Sequence, residues 1–98
     1  PPPPEPPPRD SADAPLVSLA QALVRHRSVQ EGVAVELIAT QSELSTLVTA
    51  LRRGEGSDHV RVVEGWRREL VGNELMELVA GRLALSVGSA GELLVTAT

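Results

Sequence analysis

A mostly helical fold, a compact bundle of about five short helices followed by a C-terminal β-hairpin, is what the sequence predicts. Three observations predict it. The apolar content comes almost wholly from Leu, Val and Ala, with one Trp and no Phe, Tyr or Cys, and Leu and Ala favour helix. Apolar residues recur at three- and four-residue spacing through the middle of the chain, the period of one helix face. After Gly81 the period becomes two, in Leu83, Leu85 and Val87 and again in Leu93 and Val95, which is strand spacing.

The elements follow in order. Pro1 to Pro8 are interrupted only by Glu5. Proline lacks an amide donor and fixes φ, so residues 1–14 read as a disordered, semi-rigid linker. A linker implies something upstream, and the chain does not begin with Met. Asp13 is placed to cap a first helix, with Pro15 tolerated in its first turn. Leu16, Leu19, Ala20, Leu23 and Val24 form its apolar face, and Gly32 ends it. Val33 to Ala39 suits one further helical turn. Thr40 with Glu43 makes a capping box. The helix it opens carries Leu44, Leu47, Val48 and Leu51, places Arg52 and Arg53 at the negative end of its dipole, and stops at Gly54.

Gly54 to Asp58 reads as a loop. Beyond it Val63, Trp66 and Leu70 share a helical face, with Gly65 either a break or a close-packing point. Gly72 closes this segment and Asn73 caps the next, lined by Leu75, Met76, Leu78 and Val79 up to Gly81. Residues 15–82 are thus expected to form the helical domain and 83–98 a C-terminal extension with a turn at Gly88 to Gly91. The expected core includes Leu23, Leu37, Leu44, Leu47, Trp66, Leu70, Leu75 and Leu78. Trp66 is expected to be its keystone, because a buried indole removes up to about 250 Å² from water. Its truncation should then unfold so small a domain.

Composition narrows the function. With 98 residues there is room for one domain. All nine basic residues are Arg, the 13 acidic ones outnumber them, and the net charge is −4. Nucleic acid could then be met only through a local patch. Without Cys there is no disulfide framework and no thiolate metal site. No apolar run approaches the roughly 18 residues that span a bilayer, and no secretory leader opens the chain.

The stretch Gly65-Trp66-Arg67-Arg68-Glu69-Leu70-Val71-Gly72, followed by Leu75, Leu78 and Gly81, resembles the HRDC domain (helicase and RNase D C-terminal), in particular the last copy in bacterial ribonuclease D. Gly32-Val33-Ala34-Val35-Glu36-Leu37-Ile38-Ala39-Thr40 with Leu44 fits the same pattern, and the resemblance covers roughly residues 16 to 83. It implies a bundle of about five short helices packed onto an upstream 3′–5′ exoribonuclease domain. There it would help shape the path of the RNA 3′ end in the processing of RNA such as tRNA. It further implies a cytoplasmic location, monomeric behaviour and Mg ions held only by the upstream domain.

The chain itself is expected to be inert as a nuclease and to hold no cofactor or metal. Two-metal exonuclease chemistry needs carboxylates from separated motifs, including an Asp-x-Glu pair, and none of Asp10, Asp13 or Asp58 is followed two positions later by Glu. His26 and His59 stand 33 positions apart and read as ordinary surface residues. The candidates for phosphate contact are Arg52, Arg53, Arg61, Arg67 and Arg68, with Arg25 and Arg27 ending the first helix. Glu64, four residues before Arg68, offers that arginine a structural ion pair instead. Three functional readings follow: an accessory module that binds RNA weakly and orients it, a packing module that touches only protein, and the related domain of a RecQ-type DNA helicase.

Overall fold

The computed structural model describes residues 13–56 and 59–98. The proline-rich leader therefore lies outside the described residues up to position 12, as do Ser57 and Asp58 of the loop. The fold is mostly helical, with a C-terminal antiparallel hairpin, as the sequence predicts. Five α-helical segments precede the hairpin: α1 (Ala14–Glu31), α2 (Val35–Ile38), α3 (Gln41–Arg53), α4 (Gly65–Arg67) and α5 (Asn73–Val79). A 3-10 turn, Arg61–Val63, enters α4.

Local chemistry sets most boundaries. α1 carries proline in its first turn and ends at Gly32, whose φ of 67° is left-handed and therefore costs glycine little. Asp13 does not cap this helix. Its backbone is helical and its side chain makes no cap bond; the carboxylate pairs instead with Arg52 Nη1 at 3.2 Å. α3 opens on the full capping box: the Glu43 amide donates to Thr40 Oγ1 at 3.2 Å and the Thr40 amide to Glu43 Oε1 at 2.9 Å.

α4 and α5 are one continuous helix joined by a π turn, Arg68–Gly72. The expected stop at Gly72 and cap at Asn73 are therefore corrected: both residues have helical φ and ψ. Gly72 instead serves a close approach. A Cβ there would lie 2.4 Å from the Val62 carbonyl oxygen and 3.2 Å from Val63 Cα.

The hairpin strands β1 (Leu83–Val87) and β2 (Leu93–Ala97) pair Leu83 with Ala97, Leu85 with Val95 and Val87 with Leu93. Thr98 closes the base, its amide donating to the Arg82 carbonyl and its hydroxyl to that of Gly81. Leu83, Leu85 and Val95 pack against the helical core.

That core is aliphatic throughout. Leu23 and Val24 of α1, Ile38 of α2, Leu44, Leu47 and Val48 of α3, Val62 of the 3-10 turn, Val71 of the π turn and Leu75 of α5 are its largest fully enclosed side chains. Leu78 is buried beside them and Leu70 packs half-buried against them. Two expected core residues are corrected. Trp66 is 48% exposed and Leu37 56% exposed. The adjacent pairs Val62–Val63 and Leu70–Val71 offered two apolar stripes, and the stripe that faces inward runs through Val71, Leu75 and Leu78. Trp66, near the start of α4, is not on it. Leu19 also lies at the surface.

Core truncation should follow this corrected assignment. Leu75→Ala is expected to cost about 2–5 kcal/mol in urea unfolding. Trp66→Ala should cost no more than about half of the 3–5 kcal/mol typical of a buried aromatic, with a cooperative transition retained. Loss of the transition in Trp66→Ala would contradict the aliphatic core.

Candidate nucleic-acid interface and the exposed tryptophan face

Among the described residues four arginines, Arg27, Arg52, Arg61 and Arg82, are held to carboxylates of the same chain. Arg61, entering the 3-10 turn, donates from Nε to Glu43 Oε2 at 3.0 Å and from Nη2 to Glu43 Oε1 at 2.7 Å. Nη2 also reaches the Glu36 carbonyl at 3.1 Å, so one guanidinium ties α2 to the capped start of α3. Burial pushes the Glu43 carboxyl up, but the hydrogen bonds from Arg61 and from Thr40 outweigh it and hold the group below the usual carboxylate range. Arg52 pairs with Asp13, joining the end of α3 to the start of α1. Arg27 grips Glu74 with two nitrogens, joining the end of α1 to α5. That contact raises the Arg27 pKa against the opposing effect of burial.

The five candidate arginines do not form one patch. Arg61 and Arg67 converge on α2: Arg67 Nε donates to the Leu37 carbonyl at 2.8 Å, next to the Glu36 carbonyl that Arg61 uses. Arg52 and Arg53 lie at the far end of α3, roughly 14 Å along its axis from Glu43 at 1.5 Å per residue. Arg68 donates to Asn73 Oδ1 at 3.1 Å, and the ion pair expected with Glu64 does not form. Among the described residues Arg25, Arg53, Arg67 and Arg68 have no carboxylate within ion-pairing distance.

Two surface features remain. Arg53 borders a cleft of about 200 Å³ lined by Ser45, Thr46, Thr49, Ala50, Glu55 and His59. Three hydroxyls, a guanidinium and an imidazole are donors suited to phosphate oxygens, with Glu55 the one opposing charge among the described residues that line it. The second feature is larger, a groove of about 730 Å³ between the end of α1 and the α4–α5 helix. Val33, Trp66 and Leu70 line it together with Arg27, Glu31, Glu69 and Glu74. The Arg67 guanidinium lies over the Trp66 ring, 4.4 Å from its centroid, a cation–π stack. Sequence reasoning missed this surface role for Trp66 and Leu37, and it missed the hydroxyls of the Arg53 cleft. Only the four-residue spacing of Ser45, Thr49 and Arg53 on α3, which puts them on one helix face, could have signalled the cleft.

Among the described residues no group of three His, Asp or Glu side chains could hold a metal ion. Nor is any helix among them long and apolar enough to cross a membrane.

Comparison with known proteins gives a consistent relative. The chain is 34% identical over 71 residues to ribonuclease D of Acidiphilium cryptum, covering 72% of this chain and 17% of that protein. It is 34% identical over 83 residues to ribonuclease D of Sphingobium indicum, covering 85% and 20%. Against ribonuclease D of Granulibacter bethesdensis it is 35% identical over 72 residues, covering 74% and 17%. The chain thus spans a fifth or less of the length of the curated relatives it matches. No protein-family model matches it, and no solved structure does.

The Glu43 contacts should be visible in the pH dependence of stability. The carboxyl is held low in the folded chain, whereas unfolding returns it to its ordinary value of about 4.3. Its contribution is therefore complete above the unfolded value and is lost as pH falls through the folded one. Glu43→Gln should be about 1 kcal/mol less stable than the unaltered chain at neutral pH, with the gap closing as the solution becomes more acidic than about pH 4. A gap of equal size at pH 7 and pH 3 would contradict the assignment.

Proposed function

We propose that this chain is the helical accessory module of a ribonuclease D-like 3′–5′ exoribonuclease, an HRDC-like domain held in cis with the nuclease. There it guides the 3′ end of an RNA such as a tRNA precursor towards the active site. The observation that carries this reading is the pattern of similarity: ribonuclease D sequences match 72–85% of this chain, and the match occupies only 17–20% of each of them. A segment of that size is a domain of the larger protein. The carboxylates and the Mg ions of the nuclease reaction then belong to the remainder of the parent, and RNA processing places the protein in the cytoplasm.

Contact with RNA in this reading is local and weak. Net charge is −4, and Arg27, Arg52 and Arg61 are held by carboxylates. The Arg53 cleft, with its hydroxyls and His59, is the part of the surface whose chemistry suits a phosphate. Steering of RNA therefore rests on the position of the module as much as on its grip. The same geometry favours a second reading, a module that packs on protein without touching nucleic acid, because Trp66 and Leu37 stand in solvent.

Deletion of this segment from the parent nuclease decides between them. Guidance predicts that trimming of a structured, 3′-tailed RNA slows or stops at altered positions while a short single strand is degraded as before. Unchanged rates and end points on both substrates would overturn it. For direct contact, single-stranded RNA at low salt should bind in the high-micromolar to millimolar range, losing affinity steeply with salt. Arg53→Ala should lower the log–log salt slope by about one.

A further inference from the structure

We infer that the Trp66 groove is a protein-docking site that receives a basic side chain flanked by aliphatic groups from the remainder of the parent polypeptide. This rests on the reading that the module works in cis. The exposed indole is the one Phe, Tyr or Trp side chain of the sequence, and it is 48% open to solvent, with Leu37 56% open. Val33 and Leu70 form the half-buried floor. Large aromatic side chains of this kind anchor interfaces, because they bring much apolar area at little entropic cost.

The anchor is held in place before any partner arrives. Arg67 stacks on the ring and bonds to the Leu37 carbonyl, fixing Trp66 and α2 relative to one another. Such preorganisation lowers the ordering cost of association.

Charge selects the occupant. Among the described residues that line the groove, Glu74 is neutralised by Arg27, while Glu31 and Glu69 have no ion-pair partner. An apolar floor bordered by Glu31, Glu69 and Glu74 against the single guanidinium of Arg27 carries net negative charge, which repels phosphates and attracts a guanidinium or ammonium. RNA is therefore the wrong ligand for this face, and a protein segment bearing Arg or Lys is the right one. Its source is the parent chain, since about four-fifths of each related ribonuclease D lies outside the matched segment.

The test uses the parent protein with one added cysteine at a time, read by maleimide labelling and mass spectrometry of the modified peptide. Leu37→Cys reports the exposed surface next to the groove, where Arg67 joins the Leu37 carbonyl to the Trp66 ring. Val87→Cys, in β1 at a position 74% exposed, reports an open surface. Docking predicts that Leu37→Cys reacts at least tenfold more slowly than Val87→Cys. Adding Glu31→Lys and Glu69→Lys should abolish that protection while leaving Val87→Cys and the circular dichroism unchanged. Equal reactivity at the two sites overturns the proposal, and so does protection that survives the charge reversal. Protection that appears only when single-stranded RNA is added overturns it in favour of a nucleic-acid surface. The ribonuclease reading is judged separately by the deletion experiment, so either can fail alone.

Discussion

The approach of Gly72 to the backbone of Val62 and Val63 is the contact on which the arrangement of the C-terminal half depends. A chain without Phe or Tyr, and with its one Trp at the surface, has Leu, Val, Ile, Ala and a single Met to fill its interior. Short side chains close a core only where backbones come near one another. Gly72 permits this by having no Cβ: any larger residue would press on the Val62 carbonyl. The 3-10 turn thereby lies across the π turn, and Val62, Val63 and Val71 are buried together. Glycine inside a helix costs about 1 kcal/mol against alanine, which the gain in packing must exceed.

Around this core the arginines serve as staples between elements. Arg52 ties α3 to α1 through Asp13, Arg27 ties α1 to α5 through Glu74, and Arg61 ties the 3-10 turn to both α2 and the capping box of α3. Each such pair at a partly exposed surface contributes little alone. The Arg61 arrangement is different in kind, because the carboxylate it grips also satisfies the Thr40 amide at the helix start. The same staples take cations away from the surface. A basic patch spread over Arg52, Arg53, Arg61, Arg67 and Arg68 would need side chains free to meet phosphates, and two of the five are already committed to carboxylates.

What was legible in the sequence is what local physics decides. The capping box at Thr40, the glycine stops at Gly32 and Gly54, and the alternation of the hairpin are each set within a few residues, and each is found in place. What was not legible depends on partners distant in sequence. Trp66 looked like core because its residue type and spacing to Val63 and Leu70 fit a buried stripe. The choice between that stripe and the Val71–Leu75–Leu78 stripe is made by the 3-10 turn, whose position no periodicity reveals. Asp13 looked like a cap because of where it stands, yet Arg52, 39 residues on, takes its carboxylate. Leu37 belongs to a four-residue helix, too short for any apolar pattern to assign a face.

The two surface features sit at opposite ends of α1. The Asp13–Arg52 pair places the end of α3, and with it the Arg53 cleft, beside the start of α1. The Trp66 groove uses Arg27 and Glu31 from the last turns of α1. At 1.5 Å per residue, Asp13 and Arg27 are roughly 20 Å apart along the axis. A module with an acidic, apolar seat at one end and a donor-lined cleft at the other is polar in its chemistry as well as its shape. If one end is occupied by the polypeptide that carries it, the other projects about 20 Å from that contact, a length of several nucleotides. Under the function proposed above, RNA would then be directed mainly through where the Arg53 cleft is held, because among the described residues only Arg25, Arg53, Arg67 and Arg68 stand outside ion pairs, and α1 would be the spacer between the two ends.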